Sequence, residues 1–173
     1  MGNFFYSLLI VLFLAGCGED ETAVPDFNIT RPDDDDTEHA STENFSDVFQ
    51  INAVAPLDVA RICLPLLKQS ERPAILSISS QMSWMGYQKS DHIAYRASKA
   101  ALNKIMQGLA TDLTPDGIPV CVIDPGWVRT DMGGPYADHD VQDVAQGIWK
   151  VATNLNMDQT GKFIRWTGEE REY

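Results

Sequence analysis

The chain has 173 residues, a length that suits one domain with appendages. Hydrophobic residues make up 44% and charged residues 22%, which excludes a wholly disordered or low-complexity chain. The formal net charge is −12, but ten acids and one base (Arg31) between Gly18 and Glu43 supply −9 of it. The remainder is nearly balanced and has no basic patch of the kind nucleic acid requires.

The first feature in the chain is an apolar run from Phe4 to Leu14. It is short for a bilayer span, which takes ~20 residues, and has the length of a signal-peptide core. It closes on Leu14-Ala15-Gly16-Cys17, which resembles the lipobox of bacterial lipoproteins. That resemblance implies a lipid anchor at Cys17 and a place in the cell envelope; without it the expected location is cytoplasmic. One feature departs from the pattern, since no Lys or Arg precedes the run. Residues 18–43 read as a disordered acidic linker, because Asp33-Asp34-Asp35-Asp36 repel one another and nothing nearby buries them. A calcium loop is excluded there by its spacing. The expected organisation is a signal-like segment at 1–17, a linker at 18–43 and a folded body at 44–173.

The body alternates helix and strand. Asn44 to Gln69 carries apolar residues at helical spacing (Phe45, Val48, Phe49, Val54, Leu57, Ile62, Leu66), with kinks expected at Pro56 and Pro65. Ala74 to Ile78 is a short buried strand. His92 to Leu113 is a second long helix, and Ile118 to Ile123 a second strand broken by Pro125-Gly126. A polar loop leads to a third helix, Val141 to Leu155, and Lys162 to Trp166 is a last strand. This order predicts an α/β fold with a parallel sheet and helices on its faces. Cys63 and Cys121 fall in apolar helix and strand patterns and read as small buried hydrophobes. His39, His92 and His139 have no metal-site spacing, so no metal is expected.

The chemistry concentrates at Tyr95-Arg96-Ala97-Ser98-Lys99. Residues four apart share a helix face, so Tyr95 and Lys99 are neighbours. A phenol titrates near ~10, too high for acid–base work at neutral pH. An adjacent ammonium favours the phenolate, so Lys99 is expected to lower the Tyr95 pKa toward neutrality.

Three further blocks accompany this pair. They are Phe49-Gln50-Ile51-Asn52-Ala53-Val54-Ala55-Pro56 in the first long helix, Ile78-Ser79-Ser80 at a strand end, and Pro125-Gly126-Trp127-Val128-Arg129-Thr130 after the next strand. In this order they resemble the short-chain dehydrogenase/reductase family, and Pro125 to Gly134 looks like its C-factor-like members. The resemblance implies an NAD(P)-dependent oxidoreductase acting on carbonyls or alcohols. It implies Tyr95 as acid/base, Lys99 as the residue that tunes it and holds the nicotinamide ribose, and Ser80 as the group that orients the substrate oxygen. Asn52 would hold a water at its helix kink. Pro125 and Gly126 would meet the nicotinamide ring, Val128 and Thr130 its carboxamide, and Asp131 to Asp140 would close on substrate. Ser80 stands 15 residues before Tyr95 and Ser83 12, on either side of the family's usual spacing. Ser80 has the better context at a strand end, and Ser83 remains the alternative.

The family's opening glycine loop, T-G-x-x-x-G-x-G, has no counterpart, because the glycines before Asn44 are Gly2, Gly16 and Gly18. The N-N-A-G block is absent as well. The expected fold is therefore a partial Rossmann-like, doubly wound sheet of about three strands with long helices, lacking the dinucleotide-binding half. NAD or NADP is implied by the resemblance, with weak binding expected. The outer edge of Ala74–Ile78 is expected to be bare. Together with the long helices it would favour self-association or a partner. A second expectation of a different kind is an envelope-anchored signalling or interaction protein built on this scaffold.

Overall fold

The computed structural model describes residues 8–11 and 42–173. Cys17, the lipobox-like tetrapeptide and residues 18–41 lie outside the described residues.

The first long helix comes in three parts: α1 (Thr42–Phe49), a π-helical turn (Gln50–Val54) and α2 (Ala55–Leu67). Sequence alone suggests kinks at its prolines. The irregularity falls just before Pro56 because that proline has no N–H for the carbonyl four residues back, Asn52. The Ala55 N–H reaches instead to the Gln50 carbonyl, widening the turn. The other expected kink site, Pro65, stays within α2.

The sheet has five strands in the order β1 (Leu8–Val11), β2 (Ala74–Ile78), β3 (Val120–Asp124), β4 (Phe163–Arg165) and β5 (Glu170–Arg171). The first four run parallel and β5 returns antiparallel to β4. Three strands were expected, and two corrections follow. The edge of β2 is not bare, because Leu8–Val11, from the apolar run, pairs with Ala74–Ser77. A two-residue hairpin strand, too short to show a period, closes the far side.

Alternation along the strands builds two cores. Ile75, Val120, Val122 and Phe163 face α2 and α3 (Ile93–Leu113), packing on Ala60, Leu67, Leu102, Met106 and Leu113. Leu76, Cys121, Ile123 and Ile164 face Val151 and Ala152 of α4 (Val141–Asn154). The result is a three-layer α/β/α arrangement. Asp140 caps α4 by accepting the Gln142 amide at 2.9 Å. The parallel strands all point their carboxyl ends at one rim, where Ser79-Ser80, Pro125-Gly126 and Trp166 leave the sheet. In such sheets that rim is where ligands bind.

Candidate active site

Tyr95 is set on the first turn of α3. The entry to that helix is fixed by Arg96, which reaches back to the Asp91 carbonyl at 2.7 Å and pairs with the Asp91 carboxylate. The same arginine holds the Asp91 carboxyl below its usual range. His92, just before the helix, takes the left-handed conformation at φ 52°. One turn into α3, Lys99 lies on the Tyr95 side, its Nζ 5.8 Å from the phenol ring centre, and donates to the Ile78 carbonyl at 3.1 Å.

Ser80 leaves β2 and accepts the Met82 amide at 3.1 Å, capping a 3-10 turn over Gln81–Ser83. Its side chain acts on the Tyr95 phenol, favouring the ionised form. Ser83 is committed elsewhere: it is buried, donates to the Ser80 carbonyl at 2.6 Å and accepts from Asn103 Nδ2 at 2.8 Å. The other end of Asn103 accepts from Ser79. Ser80 is thus the serine at Tyr95, and Ser83 is part of the brace beneath it.

The electrostatics of the tyrosine differ from the expectation. Burial pushes the Tyr95 phenol above its ordinary value, Ser80 opposes this, and the charge of Asp124 adds to the rise. The same burial works on the lysine, bringing its pKa down from 10.5 to about 8. Both groups are removed from water, and each resists the charged form that the other would need.

Asn52 lies in the π turn, and its side chain donates to Ser98 Oγ at 3.1 Å; Ser98 in turn donates to the Tyr95 carbonyl at 2.8 Å. Its side chain therefore stitches the kink to α3 at the turn between Tyr95 and Lys99. Pro125 and Gly126 follow β3. Gly126 has φ +71°, and a Cβ there would meet His139 Cδ2 at 2.7 Å. The loop beyond is self-bracing. Val128 bridges His139, Thr130 Oγ1 accepts the Gly133 amide at 3.1 Å, and Arg129 donates to the Ala137 carbonyl at 2.9 Å. The site residues thus fall in two groups: Asn52, Ser80, Tyr95 and Lys99 linked through α3, and Pro125, Gly126, Val128 and Thr130 in the loop after β3. His139, read as solvated, packs edge-on against Trp166 with centroids 5.3 Å apart.

Asp124 was missed by sequence reasoning. It is 3% exposed; Oδ1 accepts the Gln81 and Gly126 amides at 3.0 and 2.9 Å, and Oδ2 pairs with Arg171. A signal was there to be read: an acid ending the apolar strand Val-Cys-Val-Ile-Asp must find partners or stay out of the core. Asn103 and Ser98 gave no comparable signal on a helix with polar residues on several faces.

Residues 28–140 match the short chain dehydrogenase family, beginning inside the stretch that reads as a linker. The C-signal of Myxococcus xanthus is 39% identical over 123 residues, covering 70% of this chain and 74% of that protein. Among solved structures, the carbonyl reductase Sniffer of D. melanogaster superposes with a TM-score of 0.75 at 32% identity, covering 79% of this chain and 60% of that one. An NADPH-bound carbonyl reductase from chicken fatty liver gives 0.71 at 31% identity, with the same coverage. The chain belongs to the short chain dehydrogenase family. It spans about half the length of several other curated relatives it matches.

Proposed function

We propose that this chain carries the catalytic end of an NAD(P)-dependent oxidoreductase that interconverts a carbonyl and an alcohol. The observation that carries this is Ser80 acting on Tyr95, with Lys99 one helical turn away, at the carboxyl rim of a parallel sheet. In the reductive direction Tyr95 gives its hydroxyl proton to the substrate oxygen, and in the oxidative direction it takes one. Burial suits the first role, because a phenol kept neutral holds the proton until the oxygen becomes basic. Ser80 donates to the same oxygen and fixes its direction. Lys99 keeps a positive charge beside the phenol below about pH 8, which favours the phenolate left behind.

A nicotinamide dinucleotide, when bound, supplies or accepts the hydride. The residues present fit its nicotinamide end: a half-buried ammonium at the carboxyl end of β2, and a Pro125-Gly126 turn whose glycine leaves no room for a side chain. Lys99 would hold the ribose, and Val128 and Thr130 the carboxamide. Met85, Tyr87, Trp127, Met132 and Tyr136 are exposed on the two loops leaving β2 and β3. They favour a substrate with an apolar body. Self-association through α2 belongs to the same reading, supported by Ile62 and Leu66, which are 76% and 66% exposed.

The test is NADPH and NADH oxidation against a panel of aldehydes and ketones, at millimolar dinucleotide to offset weak binding. Slow turnover is expected, abolished by Tyr95→Phe. Turnover that survives that change would refute the assignment. The Leu14-Ala15-Gly16-Cys17 sequence favours a second reading, an envelope-anchored protein with a signalling role, and one relative bears the name C-signal. Mass spectrometry of the envelope fraction, finding a lipidated Cys17 as the N-terminus, would select it.

A further inference from the structure

We propose that Asp124 and Arg171 form a positioning pair for this site, in which one buried carboxylate ties the Ser80 turn to the Pro125–Gly126 turn and the β5 arginine holds that carboxylate in place. The proposal deepens the oxidoreductase reading and rests on it for the roles of Ser80 and Tyr95.

Asp124 is the last residue of β3, so its side chain leaves the sheet at the rim. One oxygen accepts two backbone amides from different segments. The Gln81 amide, at 3.0 Å, belongs to the residue after Ser80, and the Gly126 amide, at 2.9 Å, to the glycine of the turn beyond β3. These segments lead from different strands, and the carboxylate is what joins them. The second oxygen takes the Arg171 guanidinium. Arg171 is itself held: it pairs across from Phe163 in the β4–β5 hairpin, and its guanidinium lies 5.3 Å over the Phe163 ring and 5.9 Å over Trp84. Lys162 and Glu170 form an ion pair at 2.8 Å in the same hairpin. A buried carboxylate without this partner is an uncompensated charge free to shift, and its hold on the two amides loosens. The Asp124 charge also contributes to the field at the tyrosine. The groups facing Tyr95 are Lys99 from its own helix, Ser80 from the turn after β2 and Asp124 from β3, with Arg171 behind Asp124.

A pair that merely closes the hairpin makes a different forecast from one that positions the site. Three variants separate them: Arg171→Met, Arg171→Lys and Asp124→Asn. Asparagine keeps an oxygen for the two amides and removes the charge. The first readout is hydrogen exchange at the Gln81 and Gly126 amides, expected to quicken about tenfold or more in Arg171→Met and to return near wild type in Arg171→Lys. The second is the Tyr95 titration followed by ζ-13C tyrosine NMR, with Tyr95→Phe assigning the resonance. The midpoint is expected to rise in Arg171→Met, where the Asp124 charge is uncompensated, to fall in Asp124→Asn, and to stay in place in Arg171→Lys. Unchanged protection at both amides, or midpoints that move in the same sense in Arg171→Met and Asp124→Asn, would overturn the proposal. Neither readout needs turnover. A chain inactive at every dinucleotide concentration would overturn the oxidoreductase reading, and the two signatures would still support the pair.

Discussion

Replacing Lys99 by methionine is expected to stabilise the protein and to abolish the turnover proposed for it. The lysine is brought from 10.5 to about 8 by burial, so the folded state resists a charge that the unfolded chain carries freely. Carrying that charge at neutral pH costs the fold about 3 kcal/mol. The bond from Lys99 to the Ile78 carbonyl returns about 1.5 kcal/mol of this. Methionine fills a similar volume without the charge, so a net gain of about 1–2 kcal/mol is expected, or roughly 3–6 °C in Tm. The pH dependence gives the sign. The unfolded chain binds the Lys99 proton up to 10.5 and the folded chain up to about 8. The penalty is complete below about 8, shrinks between there and 10.5, and is gone above. The advantage of the methionine variant follows the same course. Urea melts of both proteins at intervals from about pH 7 to pH 10 measure it. A variant less stable than wild type at neutral pH, or a difference that is flat across that range, would refute the reasoning.

Three other outcomes are expected. Gly126→Ala should cost roughly 1–3 kcal/mol in thermal or urea melts, and His139→Ala should restore part of this, because the contact is relieved and the φ of +71° is not. Cys121, whose thiol burial pushes up to about 12, should resist a thiol reagent that labels half-buried Cys63, as read by peptide mass mapping; equal labelling in the native protein would contradict the packing of β3. Removing residues 1–17 takes β1 away and bares the β2 edge, so light scattering after size exclusion should show the protein moving to larger species, and an unchanged profile would mean that β1 contributes nothing there.

Much of the architecture was legible from local pattern. The strand Ala74–Ile78 and the helix to Leu113 stand where the periodicity placed them, and Val141 begins its helix just after the capping Asp140. These elements are long or strongly apolar, and their neighbours in sequence already bias them toward one form. Tyr95 and Lys99 share a helix face for the same local reason. Other features depend on partners distant in the chain. Leu8–Val11 is a short apolar run whose composition suits a signal core as well as a strand; pairing with β2 decides its place in the sheet. β5 is two residues long and exists through its pairing with β4. The hold of Asn103 on Ser83, 20 residues earlier in the chain, is likewise a contact that only the fold makes.

The sequence by itself determined the class of fold and the pairing of Tyr95 with Lys99 on one helix face, because side-chain period and helical spacing are properties of neighbouring residues. The tertiary structure decided how burial biases that pair, and the clamp around it. Burial is the sum of what other segments cover, and it raises the phenol and lowers the lysine where spacing alone predicts a lowered phenol. The Asp124–Arg171 pair joins residues 47 apart, and its two backbone amides come from two loops. No window of sequence contains all four groups; the parallel sheet brings them to one rim.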